Sequence, residues 1–270
     1  MAKKPSAPLP RTVNGVQEVR LSSWDQFYAF VNERLPQPQD YIFRGQRRSS
    51  WKLESSLDRA LRQMAKQSAA APLARLHLAE FRFAIRGRRG VNPKELREKE
   101  NEGELWALGQ HYGLWTPLLD WTESPFVALY FAFAEPDTMQ KGARAVFALS
   151  VPLVQRMSAG IEQKQPGSPA RADILQIIRP MTDENARLVS QGGLFTRGTF
   201  GVDIEKWVRK YFVGSHGSAA LVKIVVPEEK GDRFEILRAL NRMNINHRSL
   251  FPDVSGSAGF CNMRLSLEGY

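Results

Sequence analysis

Arg44 follows the short apolar run Tyr41-Ile42-Phe43 and precedes Gly45. A guanidinium there presents a planar fork of donors that matches phosphate oxygens two at a time. The same group can instead pair with Asp120, a carboxylate set between Leu118-Leu119 and Trp121 that needs a partner such as Arg44, His111 or the amides of a following helix if it is buried. His111 titrates near neutrality and either ring nitrogen can accept, so it can bind a hydroxyl, act as a general base or hold structure. The other histidines, His77, His216 and His247, share no ligand spacing with it, and no metal is expected. Thr122 and Ser124 offer hydroxyls to a ligand or cap the helix that Pro125 opens.

A second kind of chemistry is carried by charge. From Phe81 to Lys99, Arg82, Arg86, Arg88, Arg89, Lys94, Arg97 and Lys99 stand against Glu95 and Glu98. That density suits contact with several phosphates of a nucleic acid, or a solvated helix end. Phe83 and Trp106, the aromatics that could stack on bases, are expected in the core, so backbone contact is favoured over base readout.

The elements that position these groups follow from periodicity. Ser23 with Gln26 reads as a capping box before a helix with Trp24, Phe27, Val31 and Leu35 on one face. Tyr41 to Phe43 reads as a strand, which places Arg44 at a strand end. Leu76, Ala79 and Phe83 mark a helix over 73–90 with a basic end. Phe126, Leu129, Tyr130 and Phe133 give the helix after Ser124 an apolar stripe. Two strands, at 143–151 and 219–226, read as buried and central, and the helix at 231–243 turns Phe234, Leu237 and Leu240 inward. Gln165 to Pro169 is a loop, and residues 1–15, with Lys3, Lys4, Pro5, Pro8, Pro10 and Arg11, form a flexible basic tail. Helices and strands mix without βα alternation, and no glycine-rich turn opens a helix, so the class is α+β in a single domain.

The whole chain of 270 residues carries 38 Lys and Arg against 28 Asp and Glu, a net charge of +10 that favours polyanionic partners. Cys261 is the only cysteine, which excludes an intrachain disulfide and a cysteine-rich zinc site and fits a reducing compartment. No apolar run approaches the roughly 20 residues of a membrane span, and the opening Met1-Ala2-Lys3-Lys4 lacks a secretory core. A cytoplasmic protein with no membrane partner is expected.

Four segments resemble the FRG domain family: Phe43-Arg44-Gly45 with Gln46, Trp51, Leu53 and Leu57 after it; HYGLWTPLLDWTESPFVALYFA from His111 to Ala132; RLVSQGGLFT from Arg187 to Thr196; and Leu250-Phe251-Pro252-Asp253. The likeness runs over roughly residues 20 to 260, so residues 16–270 are assigned to an FRG-type domain. It departs at Trp115 and Pro117, where the family tends to have Pro and Arg. The family's layout is similar to that of ADP-ribosyltransferases: a strand-end Arg or His, a Ser/Thr-bearing strand leading into an A-x-x-F-A helix, then a late acidic or amide residue. Arg44, Thr122 with Ala128 to Ala132, and Gln191 fill those places by analogy.

The resemblance implies a mostly antiparallel central sheet flanked by helices in an ADP-ribosyltransferase-like arrangement. It implies NAD as substrate, held by Arg44, Gly45, His111, Tyr112, Asp120, Trp121 and Thr122. Transfer would rely on Arg44, His111 and Gln191, with Glu123 and Glu184 as acids behind Gln191; a Gln before two glycines also shapes turns. The acceptor would be nucleic acid, single-stranded RNA in preference, at Arg82, Arg86, Arg88 and Arg89, or protein. The context would be the toxin of a bacterial toxin–antitoxin or phage-defence system, with an antitoxin as further partner. A non-catalytic FRG module that binds a nucleotide, nucleic acid or protein is the alternative. A nuclease would need paired acids or a metal cluster, which the sequence does not offer.

Overall fold

The computed structural model describes residues 11–35, 37–88, 102–136, 142–164, 173–180, 186–215, 217, 219–229, 231–267 and 270. Runs rich in apolar and β-branched residues build seven strands: β1 (Val16–Arg20), β2 (Tyr41–Gln46), β3 (Leu118–Thr122), β4 (Arg144–Ser150), β5 (Gln176–Ile178), β6 (Gly193–Arg197) and β7 (Leu221–Val226). They form one sheet in the order β1-β7-β4-β2-β3-β6-β5. Only β1 and β7 run parallel; every other pairing is antiparallel. The fold is therefore α+β with a mostly antiparallel sheet.

Both faces of the sheet are covered, and β4 shows why its sequence reads as one apolar run. Val146 and Ala148 enter the cluster around Tyr130, Phe133 and Leu237, while Ala145, Phe147 and Leu149 enter the opposite cluster around Val154 and Trp207. The first face is packed by α1 (Gln26–Ala29), α5 (Pro125–Phe133) and α9 (Asp232–Arg242), and the second by α6 (Val151–Lys164) and α8 (Ile204–Tyr211). A third cluster joins α2 (Ser56–Gln63), α3 (Ala70–Ala84) and α4 (Glu102–His111) to Leu118 and Phe195. β4 and β7 are interior strands, as expected.

Several expectations are corrected. β2 continues through Gly45 to Gln46, so Arg44 lies within the strand rather than at its end. α3 stops at Ala84 and buries Ala70, Ala74 and Leu78; Leu76 and Phe83 are exposed. The small residues at that spacing let α3 approach α4, and the larger ones lie on the other face. Phe234 is likewise exposed while Ile236 takes its place in the core. Ser23 does not cap α1: the Gln26 carboxamide accepts from the Ser22 N–H instead (3.0 Å). Residues 12–15 belong to the fold, because the Gly15 carbonyl accepts from the Ala220 and Leu221 N–H groups. The loop at Gln165 to Pro169 and residues 1–10 of the tail lie outside the described residues. Among the described residues no helix is long and apolar enough to cross a membrane.

Two arginines secure the end of α5, where the last carbonyls have no partner within the helix. Arg144, with no exposed side-chain surface, donates to the Glu228 carboxylate at 2.5 and 2.7 Å and to the Ala132 and Glu135 carbonyls at 3.0 Å. Arg233 donates to the Phe133 and Ala134 carbonyls at 2.9 and 2.6 Å. Arg144→Met is expected to lower the unfolding free energy by about 3 kcal/mol, because it strands both Glu228 and the helix carbonyls. Urea denaturation with an unchanged m-value measures it.

Candidate functional site

The site begins where β2 and β3 part. They are paired at Phe43 and Thr122 alone. Beyond that point Arg44 spans the opening: its Nη1 donates to the Asp120 carbonyl at 2.7 Å and lies 3.5 Å from the Asp120 carboxylate. A side chain thus replaces the missing ladder bond. Arg44 is 21% exposed and Asp120 62%, so the arginine, and not the carboxylate, is the sequestered partner. Burial pulls the guanidinium pKa below its usual value; Asp120 opposes that shift and Arg59 adds to it. Gln110, at the end of α4, holds the other Asp120 oxygen at 2.6 Å and is itself fixed by the Thr116 hydroxyl.

Thr122 and Ser124 divide the two roles that sequence left open. Ser124 caps α5 by accepting from the Val127 N–H (3.3 Å), and Pro125 takes the first helical position. The Thr122 hydroxyl accepts from the Ser124 N–H (3.1 Å) and donates to the Gln191 carbonyl (2.6 Å). That bond joins β3 to the turn between α7 (Ala186–Ser190) and β6. Gly192 adopts φ +54° there, and its carbonyl accepts from the Glu123 N–H (2.9 Å). Gln191 shapes this turn, and its carboxamide nitrogen donates to the Leu250 carbonyl (3.1 Å).

Leu250 closes α10 (His247–Leu250), and Asp253 caps α11 (Val254–Ser266) by accepting from the Gly256 N–H at 2.8 Å. Hydrogen bonds from the Ser255 hydroxyl, the Gly256 N–H and Arg187 hold the Asp253 carboxyl well below the usual carboxylate range. Arg187 bonds Asp253 and lies over the Phe251 ring, 5.5 Å from its centre. His111 sits in the field of this pair. Burial and Arg187 lower its pKa against the pull of Asp253, which favours the neutral imidazole at neutral pH.

These parts enclose a cleft of about 860 Å³, lined by Arg44, Asp120, Thr122, Gln191 and Phe251 among others. That size lies in the range of small-molecule and cofactor sites. All four segments singled out in the sequence meet in this lining. Gly45 lines it too, pressed beneath α5. His111 and Tyr112 do not line it; Tyr112 is 67% exposed, edge-on to His111. Trp121 contributes to the wall, but its indole is buried on the other sheet face, donating to the Thr196 hydroxyl at 2.9 Å.

Sequence reading missed Glu54, Glu135, Arg47, Lys52, Arg59 and Arg62, all in the lining. Arg62 grips the Glu54 carboxylate at 3.2 and 3.0 Å, and Arg59 donates to the Glu54 carbonyl at 2.7 Å. The signal for α2 was present in Ser55 and Asp58, since the Ser55 hydroxyl accepts from the Asp58 N–H and donates to its carboxylate. Glu123, offered as an acid, lies outside the lining and pairs with Arg179 (3.5 Å). Glu184 lies outside the described residues, as do Arg89, Lys94, Arg97 and Lys99. Arg82, Arg86 and Arg88 are described, and none lines the cleft. Among the described residues no group of three or more His, Cys, Asp or Glu could hold a metal ion.

Residues 39–141 match the family model of the FRG domain, which supports the family resemblance over β2, α4, β3 and α5. No curated protein and no solved structure matches the chain.

Proposed function

We propose that this cleft binds NAD and that the chain is an ADP-ribosyltransferase acting on nucleic acid, RNA in preference, or on protein, in an ADP-ribosyltransferase-like arrangement of the sheet. Such an activity suits the toxin of a toxin–antitoxin or phage-defence system in the cytoplasm, with an antitoxin as a further partner. The observation that carries the reading is the convergence of four distant segments on one cleft, with an arginine held in the opening between two strands.

Arg44 takes the diphosphate. Its charge is stabilised by Asp120 against burial and the like charge of Arg59, and an anion entering the cleft meets both cations held in place rather than water. The reaction breaks the bond between nicotinamide and ribose C1′, and nicotinamide leaves with the bonding pair. C1′ becomes cation-like, an acceptor oxygen or nitrogen supplies a lone pair to it, and the acceptor proton passes to a base. Gln191, with its nitrogen held by Leu250, directs its carboxamide oxygen to a ribose hydroxyl. Glu135 is the carboxylate of the lining assigned to the proton, because Glu54 is engaged by Arg62 and Asp120 by Arg44 and Gln110. His111 stands outside the lining, in the field of the Arg187–Asp253 pair.

A second reading is favoured by one observation: the late polar residue is an amide, and its nitrogen already has a partner. On that reading the cleft is a nucleotide-binding module without transfer. Incubation with adenylate-labelled NAD and either total RNA or lysate protein separates the two. Label on one polymer with release of nicotinamide, both lost in Glu135→Gln, supports the transferase. Intact NAD and unlabelled polymers overturn it.

A further inference from the structure

The outer end of the cleft differs from its inner end. Trp51 is 42% exposed, lines the cleft and belongs to none of the apolar clusters among the described residues. A large aromatic surface left partly open in a charged wall is suited to stacking. The guanidinium carbons of Arg47 and Arg48 lie 5.2 and 5.6 Å from its ring centre. Lys52 follows directly, and Arg59 and Arg62 reach in from α2. Arg62 is neutralised by Glu54, whereas Arg59 donates to the Glu54 carbonyl and lies in the field of Asp58, and the Arg47 Nε is buried without a partner.

We propose that this rim binds single-stranded nucleic acid, with one base stacked on Trp51 and backbone phosphates on Arg47, Lys52 and Arg59. A cationic surface alone takes any polyanion, but an exposed indole adds a term only for a base free of its pair. The basic end of α3 lacks that term. Its exposed aromatic, Phe83, is a single ring with less stacking area than an indole, its Arg86 neighbour lies 3.7 Å from the ring centre and donates to the Phe83 carbonyl, and it does not line the cleft. The strand site therefore lies at Trp51 rather than at Arg82, Arg86 and Arg88. It takes from the proposed function only that the inner cleft is left to the dinucleotide.

Fluorescence anisotropy of the full chain without NAD tests it, using labelled RNA and DNA oligonucleotides of about 12 nucleotides, the span of a typical single-strand site, and the corresponding duplexes. Single strands are expected to bind more tightly than duplex, and the RNA and DNA arms identify the natural polymer. Trp51→Ala weakens the single strand roughly tenfold, Trp51→Phe restores most of that, and Lys52→Gln lowers the salt slope by about one. Arg86→Gln leaves binding unchanged. Unaltered affinity in Trp51→Ala at a wild-type melting temperature, loss in Arg86→Gln instead, or equal binding of duplex, heparin or an acidic peptide overturns the proposal. Strand binding without nicotinamide release would defeat the transferase reading and leave this one standing.

Discussion

Arg44→Gln is expected to lower kcat/KM for NAD by roughly a hundredfold to a thousandfold, the usual consequence of removing a preorganised charge from an anion site. The amide lacks the cation, and being two atoms shorter it also falls short of the Asp120 carbonyl that Arg44 reaches at 2.7 Å, so the melting temperature is read beside the kinetics. Burial already disfavours the charged guanidinium, and Asp120 is the neighbour that stabilises it. Arg44→Lys keeps the charge without the two-point fork and should recover only part of the activity. Equal loss in kcat and kcat/KM with a retained melting temperature places the effect in the transition state. A loss confined to KM places it in binding.

Gly45→Ala is expected to cost about 3 kcal/mol or more, at the upper end of overpacking effects, and to leave little folded chain near body temperature. A methyl group there would stand 1.8 Å from the Ala128 carbonyl oxygen and 2.6 Å from the Ala132 nitrogen. Both are backbone atoms of α5, so no rotamer change relieves the clash. Gly192 is the contrast: its φ of +54° strains an alanine, but the nearest atom to an added methyl is 3.8 Å away. Gly192→Ala should cost only about 1 kcal/mol. Urea midpoints of the two variants test whether α5 is seated on β2. Within the triplet, the proposed function gives the arginine to the ligand, while the glycine serves the packing of the helix that follows.

β2, β4, β7 and α5 were legible because each carries a strong local signal, the apolar runs of the strands and Ser124-Pro125 before α5, whereas β1, β5 and β6 were not read as strands. The inward face of α3 was not legible either. There Ala70 and Ala74 are buried and Phe83 is exposed, a choice made by how closely α4 approaches and invisible to hydrophobic spacing. At the site, Arg44, Asp120, Thr122 and Gln191 were named from sequence and do line one cleft. His111 was named too, but one step round the end of α4 separates it from Gln110, which is the residue that reaches Asp120. Glu54 and Glu135 lie just outside α2 and α5, and Arg59 and Arg62 read as a solvated helix face, so none was singled out before the tertiary fold gathered them around one cleft. The sequence left open whether Asp120 is buried; where β2 parts from β3 it is 62% exposed and still partnered by Arg44 and Gln110.

Hydrogen exchange of the chain with and without ADP-ribose tests the central claim most directly, because it reports both whether a dinucleotide binds and where. Slower exchange is expected at 44–46, 120–124, 191–193 and 250–253 together, with α3 unchanged. Saturating ADP-ribose that leaves all four segments as they were, or that protects α3 instead, would contradict the account.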